Sequence, residues 1–390
     1  MKKVVFLMSI LSVLCAGCKH DPSTQYTYHP PENINDGLDV GSLAEVNIDS
    51  MLIKKAMESI YQGKYKEVHS MLIFKDGKLV LETYFKGHKF KYDTANHHGE
   101  LVAWERDSLH KIMSVTKSIT SACVGIAIDK GFIKNVHQSI FDYLPEHQHL
   151  NTDGKDKITI EHLLTMTSGL QGNEWLVPYS NPKNDVIMIY QAEDPIAHIL
   201  NKPLIYEPGE NFQYCGSANF VLGEIIKNAA EMNLAEFSGK YLFEPLGIAP
   251  HHWLQLNKGV IDGAGGLKIT PRDMVKIGVI FLNKGVWNSK RIVSENWADK
   301  SAASYPGNSW MNNWDDHWGM RGYSYSWWTH TFVESGKRIQ MYYAGGWGGQ
   351  YIMVIPRLNT VVVFTGGNYT SYRPPFEILK KYIIPAFKIL

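Results

Sequence analysis

Two periodicities divide the chain. Near its ends, apolar residues alternate or cluster in short runs: Ser70–Phe74 and Lys78–Phe85 on one side, Arg338–Tyr343, Tyr351–Ile355 and Thr360–Phe364 on the other. Runs of this length, rich in β-branched and aromatic residues, predict strands. Asp76-Gly77 supplies the positive φ that a tight turn needs, so the first two runs are expected to pair as a hairpin. Between the ends the period changes. Ile119, Ala122, Cys123, Ile126 and Ala127 recur at helical spacing, Gly131 stands where a helix stop belongs, and a helix-rich stretch runs roughly from 105 to 260. Glu377–Ile384 carries a helical face that Pro385 should end or kink. Strands from both ends flanking a helical insertion imply an α/β (α+β) fold. It would consist of one antiparallel sheet flanked by N- and C-terminal helices, with an inserted all-helical subdomain and a cleft between the two parts.

The N-terminus shows a third pattern. Met1-Lys2-Lys3 precedes the apolar stretch Val4–Leu14, which is too short for a stable bilayer span and reads as a signal peptide over residues 1–17. Ala16-Gly17 before Cys18 resembles a bacterial lipoprotein cleavage site, although Cys15 occupies the position where leucine is usual. Cys18 would then be the lipidated first residue of an exported protein, anchored to a membrane on the periplasmic or cell-surface side; ordinary signal-peptidase cleavage nearby is the rival reading. Residues 18–45 are polar, with Pro22, Pro30 and Pro31, and are expected to form a tether ahead of a domain spanning 46–390.

Composition narrows the function. The chain is 44% hydrophobic and 12% aromatic with a formal net charge of +1 over 390 residues, which supplies neither a basic face for nucleic acid nor an acidic tail. After processing, Cys123 and Cys215 would remain, both expected as small buried hydrophobes. His97-His98, Glu146-His147-Gln148-His149 and His251-His252 lack the spacing that sets two ligands on one helix face. They are expected to be solvated loop residues, with no metal and no cofactor. G-x-S-x-G and phosphate-binding glycine loops are missing. The aromatic cluster Trp310, Trp314, Trp318, Tyr323, Tyr325, Trp327 and Trp328 reads either as a loop with its own small core or as an apolar wall over the cleft.

Candidate chemistry lies at the head of the best helix. Ser114 and Lys117 are three apart and share a face. A neutral lysine can take a serine proton, and the helix start favours a developing oxyanion. The same spacing occurs at Ser108/Lys111 and Ser180/Lys183, but Pro182 forbids an ordinary helical turn in the latter and the former precedes the apolar run. Only Ser114 opens a buried helix.

Ile112-Met113-Ser114-Val115-Thr116-Lys117-Ser118, the stretch Ile158–Leu170, and Pro208-Gly209-Glu210 with Phe212, Tyr214 and Asn219–Gly223 occur in order, followed by Ala344–Gln350. Together they resemble the class C β-lactamase-like serine hydrolases, a family that includes penicillin-binding DD-peptidases, esterases and 6-aminohexanoate-dimer hydrolases. The resemblance spans roughly residues 46–390. It implies a β-lactamase/transpeptidase-like fold, Ser114 as the acyl-forming nucleophile, and Lys117 with Tyr214 as the proton-handling pair; which of the two is the base stays open. It further implies an oxyanion site made of the Ser114 amide and an N–H from the Gly-rich block, with Trp347 as first choice and Gly346 and Gly348 beside it.

Two departures bear on substrate. Where penicillin-recognising members carry an asparagine two residues after the tyrosine, this chain has Gly216, which becomes a substrate-binding candidate. Where they open the last, Gly-rich block, their third motif, with a cation, it has Ala344. A small ester or amide is therefore the expected substrate, as in the esterase and 6-aminohexanoate-dimer hydrolase branch. A β-lactamase or DD-carboxypeptidase is the second reading, and a non-catalytic ligand-binding lipoprotein the third.

Overall fold

The computed structural model describes residues 26–92, 94–305, 322–334, 336–370 and 373–387. The leader, Cys18, Trp310, Trp314 and Trp318 lie outside them. The central element is a seven-stranded antiparallel sheet in the order β10-β11-β12-β13-β14-β1-β2. Its N-terminal contribution is the expected hairpin, β1 (Val68–Lys75) and β2 (Lys78–Tyr84). The turn between them is left-handed at Asp76 (φ 49°) and Gly77 (φ 85°), matching the twist of the paired strands. β3 (Lys86–Phe90) and β4 (His98–Ala103) form a separate ribbon, while β5 (His110–Lys111), β6 (His252–Trp253) and β7 (Leu267–Ile269) make a small sheet in the order β5-β7-β6. A short β8–β9 pair (Val286–Trp287, Lys290–Arg291) precedes the C-terminal strands β10 (Gly322–Ser324), β11 (Trp327–Glu334), β12 (Lys337–Gly346), β13 (Gln350–Ile355) and β14 (Thr360–Gly366).

Strand alternation assigns what covers each face. Tyr343 and Tyr351 share one face through the register Gly345↔Tyr351, and Phe376 of the C-terminal helical segment packs edge-on against both at 5.3 and 5.1 Å. Ile352 and Val361 share the other face, where the helix Pro271–Leu282 approaches so closely that a Cβ on Gly278 would sit 2.4 Å from Val361 Cγ1. The helix α1 (Ser50–Tyr61) joins the C-terminal segment through Ser59 Oγ and Tyr382 OH, 3.1 Å apart. Between the two strand groups lie α2 (Val115–Asp129) and the helices from Ile160 to Leu246, including Ser217–Ala230. The fold class is therefore the expected one.

Two expectations need correction, and one is refined. The polar segment from Tyr26 to residue 45 is not a free tether. It runs along the β2 edge, with Gly41 N–H on Leu79 O and Leu79 N–H on Asp39 O, and it buries Leu38 and Leu43. Its acidic residues explain why: Asp36 and the Glu32 carbonyl, with Glu82, surround the buried guanidinium of Arg272. Aperiodic polar sequence gave no sign of this pairing. Pro385 behaves as expected: a π turn over Leu379–Ile383 precedes it, and the helical segment ends at Ala386, one residue beyond it. Another π turn, over Gly239–Phe243, precedes Pro245; such widened turns accommodate a ring that would clash in a regular helix. The histidines are not all solvated: His147 is buried, and His97, His98 and His251 are half-buried against aromatic rings.

Removing one partner of a buried ion network leaves the others unpaired. Arg272→Ala takes from the buried Glu82 carboxylate its nearer cation, leaving the Tyr84 hydroxyl and Arg106 at 3.6 Å, and from Asp36 its bidentate partner. It should lower the unfolding free energy by about 3–5 kcal/mol in urea titrations; a loss under about 1 kcal/mol would mean that Glu82 finds water instead.

Candidate active site

Ser114 occupies the N-cap of α2, and Met113 before it is held at φ 49°, a left-handed conformation that a non-glycine residue rarely adopts. Every α2 residue from Val115 to Ala127 is buried, Lys117 among them. The Lys117 ammonium donates to Ser114 Oγ at 2.9 Å and to the Ala264 carbonyl at 3.0 Å. It also lies 5.0 Å from the centre of the Tyr214 ring. Tyr214 is buried, and its hydroxyl is hydrogen-bonded to Ser114. Burial, reinforced by the negative charge of Glu174, pushes the phenol far above its ordinary value despite that bond, so Tyr214 rests protonated.

The stretch Ile158–Leu170 has a structural task here. Thr159 and His162 cap the helix Ile160–Leu164 reciprocally, and the chain then turns at Met166 (φ 59°) and Gly169 (φ 77°). Met166 accepts the Gln213 N–H on its carbonyl and the Cys215 N–H on its sulfur. Those two bonds grip the residues on either side of Tyr214.

Gly216 does not serve as an oxyanion donor, since its N–H is given to Glu174 Oε2. A Cβ on Gly216 would lie 3.1 Å from that oxygen and 3.6 Å from Lys117 Nζ. The space of the missing asparagine side chain is thus taken by a buried carboxylate from elsewhere, whose other oxygen accepts the Tyr179 hydroxyl at 2.6 Å. Glu174 was not identified from the sequence. It sits in an aperiodic stretch, and its only trace was the glycine that makes room for it.

The Gly-rich block ends β12 and crosses in front of the serine. A Cβ on Gly346 would fall 2.5 Å from the Ile112 carbonyl and 3.1 Å from the Ser114 amide nitrogen, so only glycine allows this approach. Trp347 follows, its indole N–H bonded to Tyr369 O at 2.9 Å, and the Gly348 carbonyl accepts the Asn368 N–H. Ser114, Gly346 and Trp347 line the same space.

That space has two compartments. One, about 270 Å³, is lined by Ser114, Trp175, Tyr214, Trp328, Tyr343 and Arg373 with the glycines 345, 346, 348 and 349. The other, about 380 Å³, is lined by Ser114, Lys117, Lys111, Glu174, Tyr190 and Phe90. Tyr179 and Trp347, stacked 5.0 Å apart, border both. Trp175 is half exposed and stacks on Tyr214 at 4.6 Å, with Trp328 parallel at 5.9 Å. The aromatic segment thus resolves in favour of a cleft wall for Trp328, while Tyr323, Tyr325 and Trp327 are buried within or beside the β10–β11 hairpin. A cation does reach the cleft, from Arg373 rather than from the third motif. Cys123 and Cys215 are buried and unpaired; burial pushes both thiols up, Cys215 to about 11, which leaves them unreactive near neutrality.

The chain belongs to the Beta-lactamase family, whose sequence profile matches residues 66–366. It is similar to the 6-aminohexanoate-dimer hydrolase of Paenarthrobacter ureafaciens, 27% identical over 274 residues that make up 66% of either protein. It is also similar to esterase EstB of Burkholderia gladioli, 28% identical over 151 residues, 36% of this chain and 38% of that one. The matched region thus spans about two thirds of the first relative's length and far less of the second's. Among solved structures, a family VIII carboxylesterase superposes with a TM-score of 0.65 at 16% identity, over 88% of this chain and 98% of that one, which is a likeness of fold.

Gly346→Ala tests the close approach. With its Cβ against the Ile112 carbonyl, the block must retreat from Ser114, and labelling of the serine by a fluorophosphonate should slow by about 100-fold, the usual consequence of a misplacement near 1 Å. An unchanged labelling rate would place the working donors elsewhere.

Proposed function

We infer that this Beta-lactamase-family serine hydrolase cleaves a small ester or amide through an acyl-enzyme on Ser114. The observation that carries the reading is the contact of the buried Lys117 ammonium and the Tyr214 hydroxyl with one serine oxygen at the junction of two compartments. The Lys117–Tyr214 pair enters the reaction short of one proton, released to solvent; as the Ser114 oxygen attacks the carbonyl carbon, that vacancy takes the serine proton, and the same pair returns it to the leaving oxygen or nitrogen. The Ser114 amide and the N–H of Trp347 are the proposed donors to the tetrahedral oxyanion. Water then attacks the ester bond and regenerates the serine.

Size and lining support the substrate class. Each compartment has room for a short chain or a single ring on its side of the scissile bond, and the aromatic walls of the first favour apolar groups. The similarity to an esterase and to a 6-aminohexanoate-dimer hydrolase agrees with this choice. Glu174 is proposed as a positioning residue: it fixes Tyr179 and the Gly216 backbone behind Lys117. With the leader read at residues 1–17 and the lipidated Cys18, the enzyme would work at a membrane surface outside the cytoplasm.

The decisive experiment is intact-mass analysis after fluorophosphonate treatment, beside Ser114→Ala, with turnover of short p-nitrophenyl esters and of nitrocefin followed in parallel. One adduct that is lost in the variant, with ester turnover, is expected. Nitrocefin hydrolysis faster than ester hydrolysis would replace the ester or amide reading with a β-lactamase, and neither adduct nor turnover would leave a binding protein. Glu174→Gln keeps the volume but places donors against the Tyr179 hydroxyl and the Gly216 N–H. It should lower kcat about tenfold while Ser114 still takes the adduct; an unchanged kcat would reduce Glu174 to packing.

A further inference from the structure

Outside the cleft, titratable side chains gather behind the segment that carries Tyr369. Glu67 precedes β1, His69 lies on β1, His88 on β3, His98 opens β4 and His110 opens β5. Glu67 Oε1 accepts the His88 Nδ1–H at 2.7 Å. Its Oε2 accepts the His88 backbone N–H at 3.0 Å and the His69 Nε2–H at 3.1 Å. His98 Nε2 is 2.9 Å from the Gly367 carbonyl. A carbonyl only accepts, so that nitrogen carries the proton and Nδ1 of the neutral ring keeps its lone pair. The rings of His88 and His98 stack 4.5 Å apart and within 3° of parallel.

We propose that Glu67, His88 and His98 form a binding site for a first-row divalent cation, Zn²⁺ foremost, with water completing the coordination. One donor atom from each of the three lies within 4.8 Å of the other two. Bonds of about 2.0–2.2 Å would draw such donors to roughly 3.4 Å apart. The movement required is of side-chain size, and His88, whose side chain is 32% exposed, has room to make it. Two imidazoles and a carboxylate suit borderline ions; Mg²⁺ and Ca²⁺ prefer oxygen alone.

Three further observations mark a built site rather than a chance gathering of side chains. Glu67 is held at φ 54°, a strained backbone that aims its carboxylate inward. The backbone closes around it at two glycines. A Cβ on Gly87 would lie 2.2 Å from the His69 ring, and one on Gly367 would lie 2.8 Å from both Glu67 Oε2 and His69 Nε2. The carboxylate is backed by an outer layer: His69 bonds His110 at 2.8 Å and stacks on Trp104 at 4.9 Å. That is the arrangement by which outer partners orient metal ligands. Charge points the same way. Among the described residues the ion-pair contacts of Glu67 are with His69 and His88, and no lysine or arginine joins them.

The full chain, stripped with a chelator and desalted, is titrated with Zn²⁺ by calorimetry and with Co²⁺ by visible absorption. One equivalent of each is expected, with a melting temperature raised by several degrees at saturating Zn²⁺. His98→Ala and His88→Gln should each weaken binding by at least about 100-fold, whereas His252→Gln, an exposed histidine on β6, should not. If His98→Ala fails to fold by near-ultraviolet circular dichroism, the more exposed His88→Gln decides alone. Absence of saturable uptake by the unmodified chain, or uptake undiminished in the folded variants, would overturn the site.

Discussion

The structure depends on the burial of α2. A helix hidden on every side must find partners for each polar group it carries into the interior, because an unpaired one costs about 1–3 kcal/mol. α2 carries several; Ser121 Oγ is left without a partner among the described residues, and the partners of the others come from separate parts of the chain. Lys117 reaches the Ala264 carbonyl, Thr120 the Gly263 carbonyl, and Thr116 accepts the Leu267 N–H. Ser118 donates to Ser326 O at 2.6 Å, which ties the β10–β11 turn to the helix. Asn219, on the helix Ser217–Ala230, donates to the Lys117 carbonyl. The polar residues that would weaken a simple hydrophobic helix therefore join the sheet, the 263–267 loop and the helical region around it. The serine at its head inherits that rigidity.

Chemistry follows from the same burial. Lys117 has no carboxylate within ion-pair distance among the described residues; its hydrogen bonds go to a hydroxyl and a carbonyl. An ammonium so placed is held by two neutral oxygens and lies over the face of the Tyr214 ring, 5.0 Å from its centre. The buried Glu174 stands close behind, in the space left by the residue at 216 having no side chain. An amide there would hydrogen-bond a substrate. A carboxylate instead sets the local charge and fixes Tyr179, so one substitution changes both what the site can grip and how its proton carriers are biased.

What could be read from the sequence was whatever repeats or is covalently close. The hairpin around Asp76-Gly77, the strands β12 to β14 and the helix after Ser114 announce themselves by period, and Ser114 and Lys117 by their spacing on that helix. Tyr214 needed the flanking blocks, since nothing about a lone tyrosine marks it. Glu174, Tyr179 and Arg373 escaped because their positions are set by irregular backbone: the stretch from Gln171 to Asn184 is neither alternating nor helical. Residues 26–45 escaped for a related reason. Their docking rests on Asp36 meeting Arg272, 236 positions away, and on a few buried leucines, a contact that no local pattern encodes. The β10–β11 hairpin was hidden by its turn, since Tyr325 and Ser326 take up positive φ without the usual glycine or asparagine.

The Gly-rich block raises a problem of its own, because the glycines that let it approach Ser114 also deprive it of side chains to hold it there. Gln350 supplies the answer. Fully buried, it donates to the Gly366 carbonyl at 2.6 Å and to the Trp347 carbonyl at 3.1 Å, and accepts the Gly366 N–H at 3.1 Å. One amide thus bridges the turn after β12 to the end of β14. Beyond it the next residues complete the brace, with Asn368 bonded to Gly348 and Tyr369 to the Trp347 indole. The same short segment is anchored from behind by Glu67 and His98 through Gly367. A backbone chosen for closeness to the serine is therefore fixed by its neighbours' side chains, and the segment 366–369 is the piece through which the histidine cluster and the cleft share one scaffold.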